Sequence, residues 1–197
     1  MRQRLVLAST SRHRRALLER LRVPFTVEAP DVDETPGPGE APEALARRLA
    51  TEKAKVVAER LGDPCALVIG SDQVADLDGR LLEKPGTAER CVEQLLACSG
   101  RTVHFHTGLA LASQAGMRVC VEPFTVRFRS LTRDAVERYV ALESPLDAVG
   151  GFYCEGLGIV LFERLEGRDP NALVGLPLVA LVDLLAEAGL DPLAYSP

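Results

Sequence analysis

Several groups of polar residues in this chain are spaced so that they could act together on a phosphorylated substrate. Ser9, Ser11, His13, Arg14 and Arg15 stand where a short apolar run, Leu5 to Ala8, gives way to residues that favour a helix start. Backbone N–H groups, hydroxyls and guanidinium groups can converge there on one anion. Solvated surface charge is the plainer reading of an Arg-Arg pair. Lys53 falls between Leu49 and Val57 at four-residue spacing, so its stem must lie along the apolar side of a helix. Its ammonium either snorkels to water or rests on a fixed anion. Lys84 precedes Pro85 in a loop, a setting typical of ordinary surface lysines.

Asp72 closes the run Cys65 to Ile69, Gly70, Ser71, which reads as a buried strand giving way to turn residues. A carboxylate just beyond such a strand lies at the edge where open α/β sheets build their ligand crevices, and it can hold a metal or activate water there. It could equally cap a turn, as could Ser71. Asp31, Asp33 and Glu34 offer further hard oxygen ligands, or form a solvated acidic loop. The set contains cations and carboxylates but no Cys-His or Ser-His pair at a recognisable spacing. That combination suits phosphoanhydride hydrolysis, with cations on the phosphate oxygens and a carboxylate orienting or deprotonating water.

The elements that must position these residues follow from patterning. Leu5 to Ala8 predicts a strand feeding directly into a helix whose apolar side is Ala16, Leu17, Leu18 and Leu21; Phe25 and Val27 then alternate like a second strand. After the loop Asp31 to Pro42, the most strongly periodic segment predicts a helix to about Leu61, with Pro42 in its first turn and Gly62 as its stop. Asp78-Gly79 predicts a hairpin, and Thr87 and Thr132 are helix caps on either side of a β meander from Thr102 to Leu131. Ile159 to Phe162 looks strand-like, and a last amphipathic helix is expected from about Leu176 to Ala188. Strands interleaved with helices point to a mixed α/β fold.

Composition narrows the function classes. The 197 residues are 47% hydrophobic and 26% charged, enough for one globular domain with a sizeable core. Net charge is −5 and aromatics are 5% with no Trp, which argues against nucleic acid as a partner. No apolar run is long enough to span a bilayer, and the basic start lacks a secretory apolar region, so the expected location is cytoplasmic. Five cysteines without a C-x-x-C pair are best read as free thiols.

Taken in order, Leu7-Ala8-Ser9-Thr10-Ser11 with Arg14-Arg15, Val32-Asp33-Glu34, Glu52-Lys53-Ala54, Gly70-Ser71-Asp72-Gln73, Glu83-Lys84-Pro85 and Val174-Gly175-Leu176-Pro177 resemble the Maf family of nucleotide pyrophosphatases nearly end to end. The resemblance implies an elongated, ITPase-like mixed α/β fold over residues 1–197 as a single domain. It would have a central twisted mixed sheet and a cleft between two lobes, and such proteins are often homodimers. It also implies hydrolysis of a nucleoside triphosphate to monophosphate and pyrophosphate with a divalent cation (Mg, Mn or Co). Carried over by position, it makes Asp72 the proton acceptor for the attacking water and Glu34, with Asp72, a metal ligand. Ser9, Arg14, Arg15, Lys53 and Lys84 become phosphate contacts.

Cys154-Glu155-Gly156 and the stretch Phe162 to Asn171 resemble the subgroup that hydrolyses 7-methyl-GTP, with His13, Gln73 and Glu155 at specificity positions. The subgroup selective for dTTP and UTP has Gln at the place of Glu155. Arg12 stands where the family usually has Pro, and His13 where it is often aromatic. A competing implication is a nucleotide-binding protein that arrests cell division, the role behind the family's association with septum formation.

Overall fold

A computed structural model describes residues 3–194. Its strands are β1 (Arg4–Ala8), β2 (Phe25–Glu28), β3 (Ala66–Leu77), β4 (Arg80–Leu82), β5 (Thr102–Ser113), β6 (Gly116–Phe128) and β7 (Phe162–Gly167). Among the described residues six α-helices accompany them: α1 (Arg12–Glu19), α2 (Pro42–Leu61), α3 (Ala88–Cys98), α4 (Arg133–Glu143), α5 (Asn171–Val174) and α6 (Leu178–Glu187). The strand order is β2-β1-β3-β5-β6-β7, with β4 paired to β3. β1 runs parallel to both β2 and β3, while β4 and β7 are antiparallel to their neighbours, so the sheet is mixed. Among the described residues no helix is long and apolar enough to cross a membrane.

The described residues fall into two compact units, the first comprising residues 3–72, 107–122 and 169–194, the second 73–106 and 123–168. In the first unit, the alternation of side chains along β1 and β3 sorts two cores. Leu5, Leu7, Leu67 and Ile69 pack with Leu17 and Leu18 of α1 and Leu181 and Leu185 of α6. The intervening Val6, Ala8, Ala66 and Val68 pack with Ala50, Ala54 and Val57 of α2. Each fully buried leucine contributes roughly 1.5–3 kcal/mol relative to exposure. The second face is built from small residues because α2 lies almost on the sheet. A Cβ on Gly70 would fall 2.1 Å from the Ala50 carbonyl oxygen, and one on Gly108 would fall 2.1 Å from that of Ala46. These approaches fix α2, and with it Lys53, against the strand that carries Asp72.

In the second unit Asp78 and Gly79, both with positive φ, make the β3–β4 hairpin, and the hydroxyls of Thr87 and Thr132 cap α3 and α4. Phe105, Phe128, Phe152 and Phe162 pack edge-to-face with ring centroids 4.8–5.7 Å apart. The cysteines are free, with Cys91 and Cys98 buried and their thiols pushed up by desolvation to about 11 and about 12.

Three expectations from patterning are corrected. The buried strand does not end before Gly70-Ser71-Asp72 but continues to Leu77, so Asp72 lies within β3. Gly70 is there to admit the α2 backbone and not to turn the chain. Ile159 and Val160 are exposed members of a 3-10 turn over Leu157–Leu161, and the strand starts only at Phe162; Gly158 lets the turn pack on the Tyr153 carbonyl, which would lie 2.4 Å from a Cβ there. Ala16 is exposed, leaving Leu17 and Leu18 as the buried residues of α1.

Candidate active site

Asp72 and Lys53 meet because of two periodicities. Ala66, Val68, Gly70 and Asp72 share the face of β3 turned toward α2, and Lys53 lies on the α2 stripe of Leu49, Ala50, Ala54 and Val57 that packs on it. The Lys53 ammonium reaches Asp72 Oδ1 at 2.6 Å and Glu34 Oε1 at 2.5 Å. The side chains of Lys53 and Asp72 are 5% and 11% exposed, whereas Glu34, on the loop before α2, is 58% exposed. Lys53 therefore does not snorkel. It is an internal cation between one fixed carboxylate and one on a loop open to solvent.

Arg14 completes the charge pattern. Burial lowers its pKa, while the charges of Asp72 and Glu34 act against that and favour the guanidinium. Its Nε donates to the Gly175 carbonyl at 2.9 Å, which fixes the direction of the side chain. The preceding loop is self-capped: Ser9 Oγ accepts from the Ser11 amide at 3.1 Å, and Ser11 Oγ accepts from the Arg14 amide at 3.3 Å. Ser9 is buried, and a hydroxyl that accepts one bond still has a proton to donate to an anion.

Ser71 and Gly175 are site residues whose roles spacing did not reveal. Ser71 points to the opposite face of β3 from Asp72, and its Oγ lies 2.9 Å from the carbonyls of both Gly108 and Gly175. Gly175 has φ 116°, and a Cβ there would sit 3.3 Å from Arg14 Nε, so both backbone and space require glycine. The turn is set in turn by Asp169, which is fully buried. Its Oδ1 accepts from the Asn171 amide and side chain, and its Oδ2 from the Val179 amide, tying α5 to the start of α6. The Asp-Pro-Asn sequence at 169–171 was the available signal for such a cap.

The remaining sequence candidates are placed differently. Arg15 points away from Arg14, pairing with Glu19 at 3.0 Å on the exposed side of α1. His13 is half-buried and accepts at Nε2 from Arg12 Nε at 3.2 Å. Gln73, Lys84 and Glu155 belong to the second unit; Lys84 is exposed, and exposed Glu155 accepts from Cys154 Sγ at 3.4 Å.

Among the described residues no three His, Cys, Asp or Glu side chains cluster as a closed metal cage. Two carboxylate oxygens, from Glu34 and Asp72, do contact one ammonium and so lie within about 5 Å of each other. Such a donor pair fits a small divalent cation that takes one or two carboxylates and completes its shell with water and substrate phosphate.

Residues 4–188 match the family model described as Maf-like protein. The chain belongs to the Maf family. It is 55% identical over 189 residues to the 7-methyl-GTP pyrophosphatase of Xanthomonas oryzae pv. oryzae (strain KACC10331 / KXO85), covering 96% of this chain and 98% of that protein. It is 53% identical over 190 residues to the 7-methyl-GTP pyrophosphatase of Pseudomonas aeruginosa, covering 95% and 97%. In fold this Maf protein is similar to the Staphylococcus aureus Ham1 protein, with a TM-score of 0.53 at 16% identity over 95% of this chain and all of that one. The Maf membership and the mixed α/β fold agree with the motifs that run through the sequence.

Proposed function

We propose that this protein is a 7-methyl-GTP pyrophosphatase, cleaving the α–β phosphoanhydride to give the nucleoside monophosphate and pyrophosphate. The observation that carries the reaction class is the buried Asp72 carboxylate with Lys53 and Arg14 beside it and Glu34 opposite. The substrate is supported by relatives at 53–55% identity over about 95% of the chain that bear that name.

In this reading Asp72 accepts the proton of the attacking water as its oxygen bonds to the α-phosphorus, and pyrophosphate leaves from the opposite side. Lys53 and Arg14 neutralise charge on the phosphate oxygens, a contribution that grows as the transition state forms. The Ser9 hydroxyl, which accepts from the Ser11 amide and keeps its own proton, offers that O–H to the same anion. A divalent cation, when bound, would be held by Glu34 and Asp72 and would supply positive charge to the phosphate oxygens. Both carboxylates also contact the Lys53 ammonium, so a cation held there would share them with Lys53. To Lys84 we assign a phosphate contact, and to Glu155, with His13 and Gln73, recognition of the base; Arg15, paired with Glu19, is not assigned to the phosphate.

The test is pyrophosphate release by the purified protein from 7-methyl-GTP, GTP, dTTP and UTP, with Mg, Mn or Co supplied. The expected result is the highest kcat/KM on 7-methyl-GTP, with 7-methyl-GMP as co-product. Preference for dTTP or UTP would replace this reading with a pyrimidine nucleotide pyrophosphatase. Tight binding without turnover of any of them would favour a nucleotide-binding regulator of division.

A further inference from the structure

Glu34 is a loop residue, more than half exposed, and an exposed loop carboxylate would ordinarily wander. The residues around it show what holds it. Arg48, on α2 five residues before Lys53, presents its guanidinium fork to Glu40, with Nε 2.8 Å from Oε1 and Nη2 2.9 Å from Oε2. The same Nη2 donates at 3.0 Å to the carbonyl of Thr35, the residue next to Glu34. Nη1 lies 3.2 Å from Glu52, one turn along the helix. Glu40 Oε2 also accepts from the Gly37 amide at 2.9 Å, and Asp33 Oδ1 accepts from the Thr35 amide at 2.9 Å.

Helix α2 therefore grips the loop twice, through Lys53 on the Glu34 carboxylate and through Arg48 on the backbone beside it. Only the second grip does not involve the Glu34 carboxylate itself. We infer that Arg48, held by Glu40, is a positioning residue that keeps the 33–40 loop in place, so that Glu34 stays directed at Asp72 whether or not it is bound to Lys53. The bidentate fork holds the Glu40 carboxyl down at about 2, so the clamp is fully charged under ordinary conditions.

The inference deepens the proposed reaction and rests on it for the role of Glu34. It is tested by Arg48→Lys, which keeps the charge and the helix but loses the planar fork, made in the wild type and in Glu34→Gln. Turnover is measured on whichever of the four nucleotides the wild type cleaves best, together with amide hydrogen exchange over residues 33–40. In the wild-type background kcat/KM should fall about tenfold, exchange at 33–40 should quicken, and the concentration of Mn giving half-maximal rate should rise. In the Glu34→Gln background the same change should cost less than about twofold, because a residue acting through Glu34 has nothing left to position. Equal losses in both backgrounds, or unchanged exchange, would overturn the inference. If no nucleotide is cleaved the functional reading falls, and exchange alone decides whether Arg48 holds the loop.

Discussion

The Lys53 ammonium and the Asp72 carboxylate are 2.6 Å apart inside the protein, one on α2 and the other within β3. Each makes burial of the other tolerable. Removing one partner of such a pair leaves a buried, uncompensated charge, which typically costs about 3–5 kcal/mol. Lys53→Met should therefore lower stability by roughly 3 kcal/mol, toward the lower end because Arg14 still attracts Asp72. Adding Asp72→Asn should recover part of that loss. A lysine that merely snorkelled would lose almost nothing, so urea unfolding of the two variants separates the cases. Unchanged stability in Lys53→Met would mean the pair is not buried as described.

The clamp on the acidic loop makes a prediction in pH. Glu40 is depressed from 4.5 to about 2, chiefly by its hydrogen bonds from Arg48 and then from Gly37. A carboxyl whose pKa is lowered on folding contributes stability above its unfolded value and loses it as pH falls toward its folded value. Wild type should thus be more stable than Glu40→Gln at neutral pH, with a difference constant down to about pH 5. It should shrink below 4.5 and vanish near 2. Melting both proteins across that range checks the sign, and a difference that grew on acidification would contradict it.

Substrate choice is predicted to rest on Glu155. N7 methylation makes guanine cationic, and the base still presents N1–H and N2–H as adjacent donors, which an acceptor-only carboxylate matches in pairs. Gln would set one N–H against a donor, and a group left unpaired costs about 1–3 kcal/mol, or roughly tenfold to a hundredfold. Glu155→Gln should lower kcat/KM for 7-methyl-GTP by about that factor, with much smaller losses on dTTP or UTP. Steady-state kinetics on the three nucleotides would show it, and equal losses on all would remove Glu155 from base recognition.

What the sequence disclosed and what it concealed divide along physical lines. The start of α1, the full span of α2 from Pro42 to the left-handed Gly62, and the Asp78-Gly79 hairpin were legible because each is fixed by local rules of capping and backbone conformation. Lys53 was legible as an anomaly, a charge on an apolar stripe, but its partner was not, since pairing depends on which strand α2 covers. Gly70-Ser71-Asp72 looked like a strand end because Gly, Ser and Asp favour turns. Close approach of α2 at Gly70 and the Ser71 hydrogen bonds to distant carbonyls are tertiary facts that override that preference. For the same reason Asp169, Gly175 and the Arg48–Glu40 clamp acquire their roles only once the chain is folded.

The most direct measurement is the turnover of 7-methyl-GTP by Asp72→Asn beside the wild type, with thermal unfolding of both. Asn keeps the shape and most hydrogen bonding but cannot accept the proton of the attacking water or bring a charge to a cation. The kcat of Asp72→Asn should fall by about 10²–10⁴-fold, the range for loss of a general base, while Glu34 remains to pair with Lys53 and the fold persists. A folded Asp72→Asn that turned over 7-methyl-GTP at near the wild-type rate would contradict the assignment of this carboxylate as the group that activates water.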